Sequence, residues 1–217
     1  PSTPTGHVLS SLRPSSRTDH ASGRYRSNMP DPLPFRVFVA APSDLEDGRG
    51  VVRSCVDEHN ARSGVSSNVL FEVVEWRQVR GTARRPQEAI NELIGESHFL
   101  VALFRTAWGS EPGSTWGYTS GTEEELFTGL LELGQPGQPM RDIWVAFLSD
   151  PAPDGRVSSL RTQLSTHHPL MYESIVDLRD LKEKLTERLK SWAEVSDSKT
   201  PQQIGLLPSS GRDVLGA

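Results

Sequence analysis

Three consecutive glutamates follow a Ser-Gly-Thr turn in the segment WGYTSGTEEELFTG, which runs from Trp116 to Gly129. A carboxylate at the rim of a sheet can stabilise a developing positive charge or attack an electrophilic carbon. The same residues also have a structural interpretation. Thr122 as N-cap and Glu125 three positions later form a capping box, and first-turn carboxylates gain roughly 0.3–1 kcal/mol from the helix dipole. Both interpretations of Glu125 stay open at this point, whereas Glu123 and Glu124 fit a solvated first turn.

The segment before the glutamates, RTAWGSEPGSTWGYTSGT, is a long loop with two tryptophans, one tyrosine, four glycines and an arginine. Loops of this length in a compact domain are usually functional or disordered. Its first residue, Arg105, either offers a cation to a phosphate or forms a surface salt bridge. Trp108 and Trp116 either stack on a ligand ring or cover the edge of the sheet. The loop leads directly to Glu125.

Two further segments have types of residue that bind anions. Ser43 and Asp44 belong to the capping-box pattern Ser-Asp-Leu-Glu, and they can alternatively contact a phosphate or a ribose. The run RQVRGTARR, residues 77–85, is the one basic cluster of the chain. It is either a solvated loop or a phosphate site at a helix N-terminus.

Short apolar runs alternate with helical patterns along the chain, and this alternation predicts the scaffold that positions these residues. The expected helices begin near Ser43, Pro86, Thr122, residue 156 and Asp177. The expected strands are residues 35–41, 70–76, 98–104, 142–149 and 170–176. This pattern predicts an α/β, flavodoxin-like parallel sheet in the order 2-1-3-4-5, with helices on both faces. Ligands bind such sheets beyond the carboxyl ends of strands one and three, which is where Ser43, Arg105 and Glu125 are expected.

The composition divides the chain into three parts. Residues 1–34 are rich in Pro, Ser, Gly and Arg without apolar periodicity, and we expect a disordered leader. Residues 35–195 are expected to form one α/β domain. Residues 196–217 have the composition of a linker, and we expect them to lead to a further domain of a larger parent protein.

The charge and cysteine content restrict the possible partners and compartment. A net charge of -5 provides no general cationic field, so direct binding to nucleic acid is not expected. Cys55 is the only cysteine, which excludes a disulfide within the chain and favours the cytoplasm. No apolar run approaches the ~18 residues of a membrane span, so no membrane partner is expected. His167 and His168 have no further ligand at metal-binding spacing, which favours a turn over a metal site.

Three segments resemble the TIR-like domains of the DUF4062 type, which lie at the N-termini of large bacterial signalling and defence proteins. The resemblance runs from about Phe35 to Asp150, and Ala41 stands where these domains commonly have a serine. The segments are RVFVAAPSDLEDGRGVV, RRPQEAINELIGESHFLVALFRTAWGS and SGTEEELFTGLL. The resemblance implies a flavodoxin-like TIR fold, activation by self-association and attachment to further domains.

In catalytic members of this family, a glutamate near the start of the third helix cleaves the nicotinamide N-glycosidic bond of NAD. Glu125 followed by Leu126 matches that glutamate-leucine pair. Nicotinamide in NAD is already a cationic leaving group, so no general acid is required, and NAD is the substrate rather than a cofactor. The resemblance implies that the substrate-binding residues are Ser43, Asp44, Arg105, Trp108, Gly109, Ser120, Thr122 and Glu124.

Two alternatives to NAD cleavage stay open. The spacing Gly121-Thr122-x-x-Glu125 also resembles the nucleophile motif of nucleoside deoxyribosyltransferases, although the aspartate that precedes Gly-Thr in that group is absent. The chain also lacks the Trp-Cys pair that is common before the catalytic glutamate of TIR domains. A non-catalytic TIR-like module for protein interaction and self-association is therefore the other hypothesis.

Overall fold

A computed structural model of the protein describes residues 34–63, 69–79, 85–114, 116–167 and 170–197. The predicted leader lies outside these residues apart from Pro34. The predicted linker also lies outside them apart from residues 196–197, which are the last two of the final helix.

The described residues contain five parallel strands in one sheet. They are β1 (Phe35–Ala40), β2 (Phe71–Val74), β3 (Phe99–Phe104), β4 (Asp142–Leu148) and β5 (Tyr172–Ile175). Their order in the sheet is β2-β1-β3-β4-β5, and every neighbouring pair is parallel. This confirms the predicted flavodoxin-like α/β fold.

A helix follows each strand, as crossovers between parallel strands require. The helices are α1 (Glu46–Ser63), α2 (Pro86–Gly95), α3 (Gly121–Leu133), α4 (Gly155–His167) and α5 (Leu178–Asp197). Short 3₁₀ turns at Ser43–Leu45 and Trp76–Gln78 follow β1 and β2. No helix in the described ranges is long and apolar enough to span a membrane.

The apolar core has two layers, one on each face of the sheet. In β1, Val37 and Val39 belong to the layer covered by α1 and α5, while Phe38 and Ala40 belong to the layer covered by α2, α3 and α4. All six residues of β3 are buried because helices cover both faces of this central strand. The sheet therefore holds the ends of β1 and β3 rigidly side by side, at the point where the strand order reverses.

Candidate active site

Buried polar side chains concentrate beyond the carboxyl ends of the first three strands. Of the eight polar or charged side chains that are buried among the described residues, Ser97 alone precedes a strand, at the opposite end of the sheet. The other seven are Arg49, Glu75, Gln87, Ser120, Thr122, Glu124 and Glu125. Burial of polar groups is costly and is typical of functional sites, so this edge of the sheet is the candidate site.

Glu125 lies in the first turns of α3 and is only 5% exposed. Burial away from water raises the pKa of its carboxyl from 4.5 to about 8; the charge of Arg49 lowers it, and that of Glu124 raises it further. No hydrogen bond to the Glu125 carboxylate comes from any residue that the structure describes. The carboxyl group is therefore buried and has a pKa of about 8. It forms no hydrogen bond with any residue that the structure describes.

Arg49 on α1 acts on this carboxylate through its charge, and sequence reasoning missed it. The guanidinium is 3% exposed and donates to the carbonyl of Val39, at 3.2 Å, and to the carbonyl of Ala41. The strand end thus fixes a buried cation beside Glu125. The sequence contains a signal for the burial of Arg49, because it lies one turn after Leu45 and one turn before Val52, on the buried face of the helix.

Glu124 is a structural carboxylate in this arrangement rather than a solvated one. It is 1% exposed, and its Oε1 accepts hydrogen bonds from Arg85 at 3.1 Å and from Asn91 at 3.0 Å. Its Oε2 and the Nη1 of Arg85 are both buried without a partner among the described residues. The prediction that Glu124 lies in a solvated first turn is wrong, because α2 packs against this side of α3.

The cap of α3 differs from the predicted one. Ser120 is the N-cap, in an extended conformation, and its hydroxyl accepts from the amide of Glu123 at 3.0 Å. The Glu123 carboxylate reaches back to the amide of Thr119 at 2.6 Å. Ser120 and Glu123 therefore form a variant of the capping box, in which the carboxylate accepts from the residue before the N-cap, and the assignment of Thr122 and Glu125 to a capping box is wrong. The structural explanation for Glu125 does not hold.

Asp44 lies in the loop after β1 and Arg105 in the loop after β3, and each forms hydrogen bonds with the other loop. The Oδ2 of Asp44 accepts from the backbone amides of Thr106 at 3.1 Å and Ala107 at 3.2 Å. Arg105 donates to Asp47 at 2.8 Å and to the carbonyl of Asp44. Both residues therefore hold the β1 and β3 loops together, and Arg105 forms the salt bridge that was the alternative to a phosphate contact.

The capping box predicted at Ser43 is also wrong. The chain there forms a 3₁₀ turn whose N-cap is Pro42, without a side-chain capping bond. The Ser43 side chain is exposed. Glu46 pairs instead with Arg53 and Arg77, at 3.0 and 2.6 Å. Arg53 lies two turns further along α1, and Arg77 lies in the 3₁₀ turn after β2.

The two tryptophans of the third loop have opposite environments. Trp108 is 4% exposed, stacks on Phe104 and donates from Nε1 to the Thr119 hydroxyl at 2.7 Å, so it covers the core. Gly109 follows at φ +103°, and a Cβ there would lie 3.3 Å from that of Ser120. The loop therefore packs closely on the start of α3. Trp116 is 81% exposed.

Trp116 lines a surface cavity of about 590 Å³ between α2 and α3. Most of the charged residues that line this cavity are acidic. Glu125 is not among its lining residues, so the exposed tryptophan and the buried carboxylate are not part of one cavity. The lining residues with charge are Arg85, Glu88, Glu92 and Glu132. Of the predicted basic cluster, Arg77 and Arg85 form salt bridges, whereas residues 80–84 lie outside the described part of the chain.

The loop contact made by Asp44 has a measurable contribution to stability. Asp44→Ala is expected to lower the free energy of unfolding by about 1–3 kcal/mol, because two backbone amides lose their acceptor. Chemical denaturation at pH 7 measures this loss. Ser43→Ala is the control and should change stability by less than about 0.5 kcal/mol, since its side chain is exposed. Equal stability of the two variants would contradict the assigned role of Asp44.

The comparisons with known proteins do not identify the function of this chain. No family model matches this chain, and no curated protein matches it. Its structure is similar to that of general stress protein 14 from Treponema denticola in complex with FMN, with 13% identity, a TM-score of 0.35, and coverage of 75% of this chain and 99% of that chain. A similarity this low carries no argument about what the site binds.

Proposed function

We propose that this domain cleaves the nicotinamide N-glycosidic bond of NAD through Glu125, in the manner of TIR-like effector domains. The observation that carries the proposal is the buried Glu125 carboxyl group, which lies beyond the ends of β1 and β3 with its pKa raised to about 8 and with no hydrogen-bond donor among the described residues. Open parallel sheets bind ligands at this point. A carboxyl group that is costly to bury and unused by the fold is the best candidate for chemistry.

The charged form of Glu125 suits this reaction. The bond between the ribose anomeric carbon and the nicotinamide nitrogen breaks, and its electron pair leaves with the ring, which becomes neutral. Positive charge then develops on the ribose, and a nearby carboxylate stabilises it strongly because the site excludes water. Water adds to the anomeric carbon and gives up one proton, which leaves ADP-ribose and nicotinamide as products.

The pH dependence of NAD cleavage tests this role. Since the carboxylate is the active form, kcat/KM is expected to rise about tenfold per pH unit below pH 8 and to level off above it. Nicotinamide release measured between pH 6 and pH 10 gives the profile. The protein is clustered on a scaffold, because the resemblance to TIR-like domains implies activation by self-association. A rate that falls as pH rises through 8 contradicts the anionic role. It would favour Glu125 as an acid for a neutral leaving base, as in nucleoside chemistry.

A second candidate function, a non-catalytic module for self-association or recruitment, is favoured by a different observation. Phe127 and Leu131 lie one turn apart on α3 and are 39% and 58% exposed, and Tyr118 stacks on Phe127. Apolar side chains exposed together often mark a protein contact. Substitution of both residues by serine should prevent association in either case. In the catalytic case it should also remove NAD cleavage.

The proposed substrate and the single buried cysteine fit a cytoplasmic location. Within a larger parent chain, further domains would provide the trigger for clustering.

A further inference from the structure

The Arg49 side chain is buried and is anchored to the end of the sheet. Its two terminal nitrogens donate to the carbonyls of Val39 and Ala41, at the end of β1. Two anchors fix both the position and the plane of the guanidinium. Arg49 is therefore placed by the sheet, not by the flexible end of its own side chain.

The guanidinium and the Glu125 carboxylate do not form a direct ion pair. No salt bridge within 4.0 Å joins them, although both residues lie in the described ranges and both are at least 95% buried. Burial lowers the pKa of Arg49 and raises that of Glu125, and the charge of each side chain opposes the shift of the other. The two charges therefore interact without a direct contact, and both carboxylate oxygens are left for another group.

The other charged groups around this pair belong to three elements. Glu124 on α3 acts on Glu125, whereas Glu75 after β2 and Glu46 and Arg77 act on Arg49. Glu124 is paired with Arg85, and Glu75 accepts two hydrogen bonds from Arg53, at 2.7 and 2.9 Å. Arg49 is thus the cation that acts on Glu125 itself.

We propose that Arg49 is a positioning residue for the reaction, whose fixed guanidinium stabilises the charged form of the Glu125 carboxylate inside the fold while leaving its oxygens free for the substrate. This inference rests on the proposed function, and its new content is the role of Arg49. A direct ion pair would occupy the carboxylate oxygens, and without the cation the buried carboxyl group would lose its proton only at a still higher pH. The sheet-anchored arginine avoids both outcomes.

Two substitutions separate charge from anchoring. Arg49→Gln keeps a donor for the strand carbonyls but removes the positive charge, and Arg49→Lys keeps the charge with a single point of attachment. The free energy of unfolding is measured between pH 4 and pH 10 for the parent, Arg49→Gln and Arg49→Lys proteins, each with and without Glu125→Gln. The pH dependence of the difference between the two curves reports the titration of Glu125 alone.

In Arg49→Gln, the pH midpoint of the Glu125 titration is expected to rise by about 1 unit or more. The reason is that a neighbouring opposite charge typically shifts a carboxyl pKa by 1–3 units. Arg49→Lys should stay closer to the parent midpoint. The kcat/KM profile for NAD should shift in the same direction. An unchanged midpoint in Arg49→Gln overturns the proposal, because a purely structural arginine would not affect this titration.

Loss of folding is also an informative outcome. If Arg49→Gln folds at pH 5 but not at pH 9, and Glu125→Gln restores folding at pH 9, the electrostatic coupling is supported. If it is unfolded at both pH values with and without Glu125→Gln, Arg49 is only an anchor and the proposal fails. If the midpoint moves in protein that never cleaves NAD, the coupling stands and the proposed function fails.

Discussion

At pH 9, Glu125→Gln is expected to be more stable than the parent protein by about 2–4 kcal/mol. A pKa raised from 4.5 to about 8 corresponds to about 5 kcal/mol of penalty for the buried charge, at ~1.4 kcal/mol per unit. We expect less than the full amount, because the buried glutamine amide itself lacks a hydrogen-bond partner among the described residues and costs free energy. Chemical denaturation of the two proteins at a series of pH values measures the difference.

The sign of this pH dependence follows from the direction of the shift. The folded protein keeps a proton on Glu125 that the unfolded chain loses near pH 4.5, so its stabilising effect is complete below pH 4.5. That effect is lost progressively as the pH rises to about 8. The advantage of Glu125→Gln should therefore be smallest near pH 4 and largest above pH 8.

Glu123→Gln is the matched control, because Glu123 occupies the same turn but takes part in the exposed capping box. It should change stability by less than about 1 kcal/mol, and without a step near pH 8. A stability difference between Glu125→Gln and the parent that does not vary with pH would show that Glu125 is not a buried titrating group.

Arg85→Met is expected to destabilise the protein by about 3–5 kcal/mol, the typical cost of leaving one member of a buried ion pair behind. Glu124 is 1% exposed and would keep only the Asn91 bond, while its Oε2 already has no partner among the described residues. Thermal and chemical denaturation at pH 7 measure the loss.

Two comparisons make the Arg85 result specific. Arg62→Met removes the exposed helical pair with Glu58 and should cost less than about 0.5 kcal/mol. The double variant Arg85→Met with Glu124→Leu should recover most of the stability, because no unpaired charge is left. If Arg85→Met costs no more than Arg62→Met, Glu124 does not depend on Arg85.

The fold was predictable from sequence because strands buried on both faces have a continuous apolar pattern. Residues 99–104 form such a run, and β3 is buried throughout. The alternation with helices then leaves few arrangements of the sheet. The predicted strand boundaries and helix starts lie within three residues of the observed ones, and the largest difference is at α1, which was expected to begin near Ser43 and begins at Glu46 after a 3₁₀ turn.

The site was predictable only in part, because its local patterns are ambiguous and its partners are distant in sequence. The serine at 120 and the threonine at 122 are both good N-caps, and only the packed loop selects Ser120. Glu124 is buried by α2 and Asp44 binds the loop after β3, two contacts that no local spacing reveals. Glu125 was found through its motif, whereas its burial and its partner Arg49 depend on tertiary structure.

The most direct test of the central claim is nicotinamide release from NAD at pH 9 by the clustered parent protein and by clustered Glu125→Gln. The substitution keeps the size of the side chain but cannot supply a negative charge. We predict steady release by the parent and by Glu123→Gln, and a loss of at least about 100-fold in Glu125→Gln, the scale on which a charge-stabilising group acts. Equal rates for the parent and Glu125→Gln, or no release by any of the three proteins, would contradict the claim that Glu125 is the catalytic carboxylate of an NAD-cleaving domain.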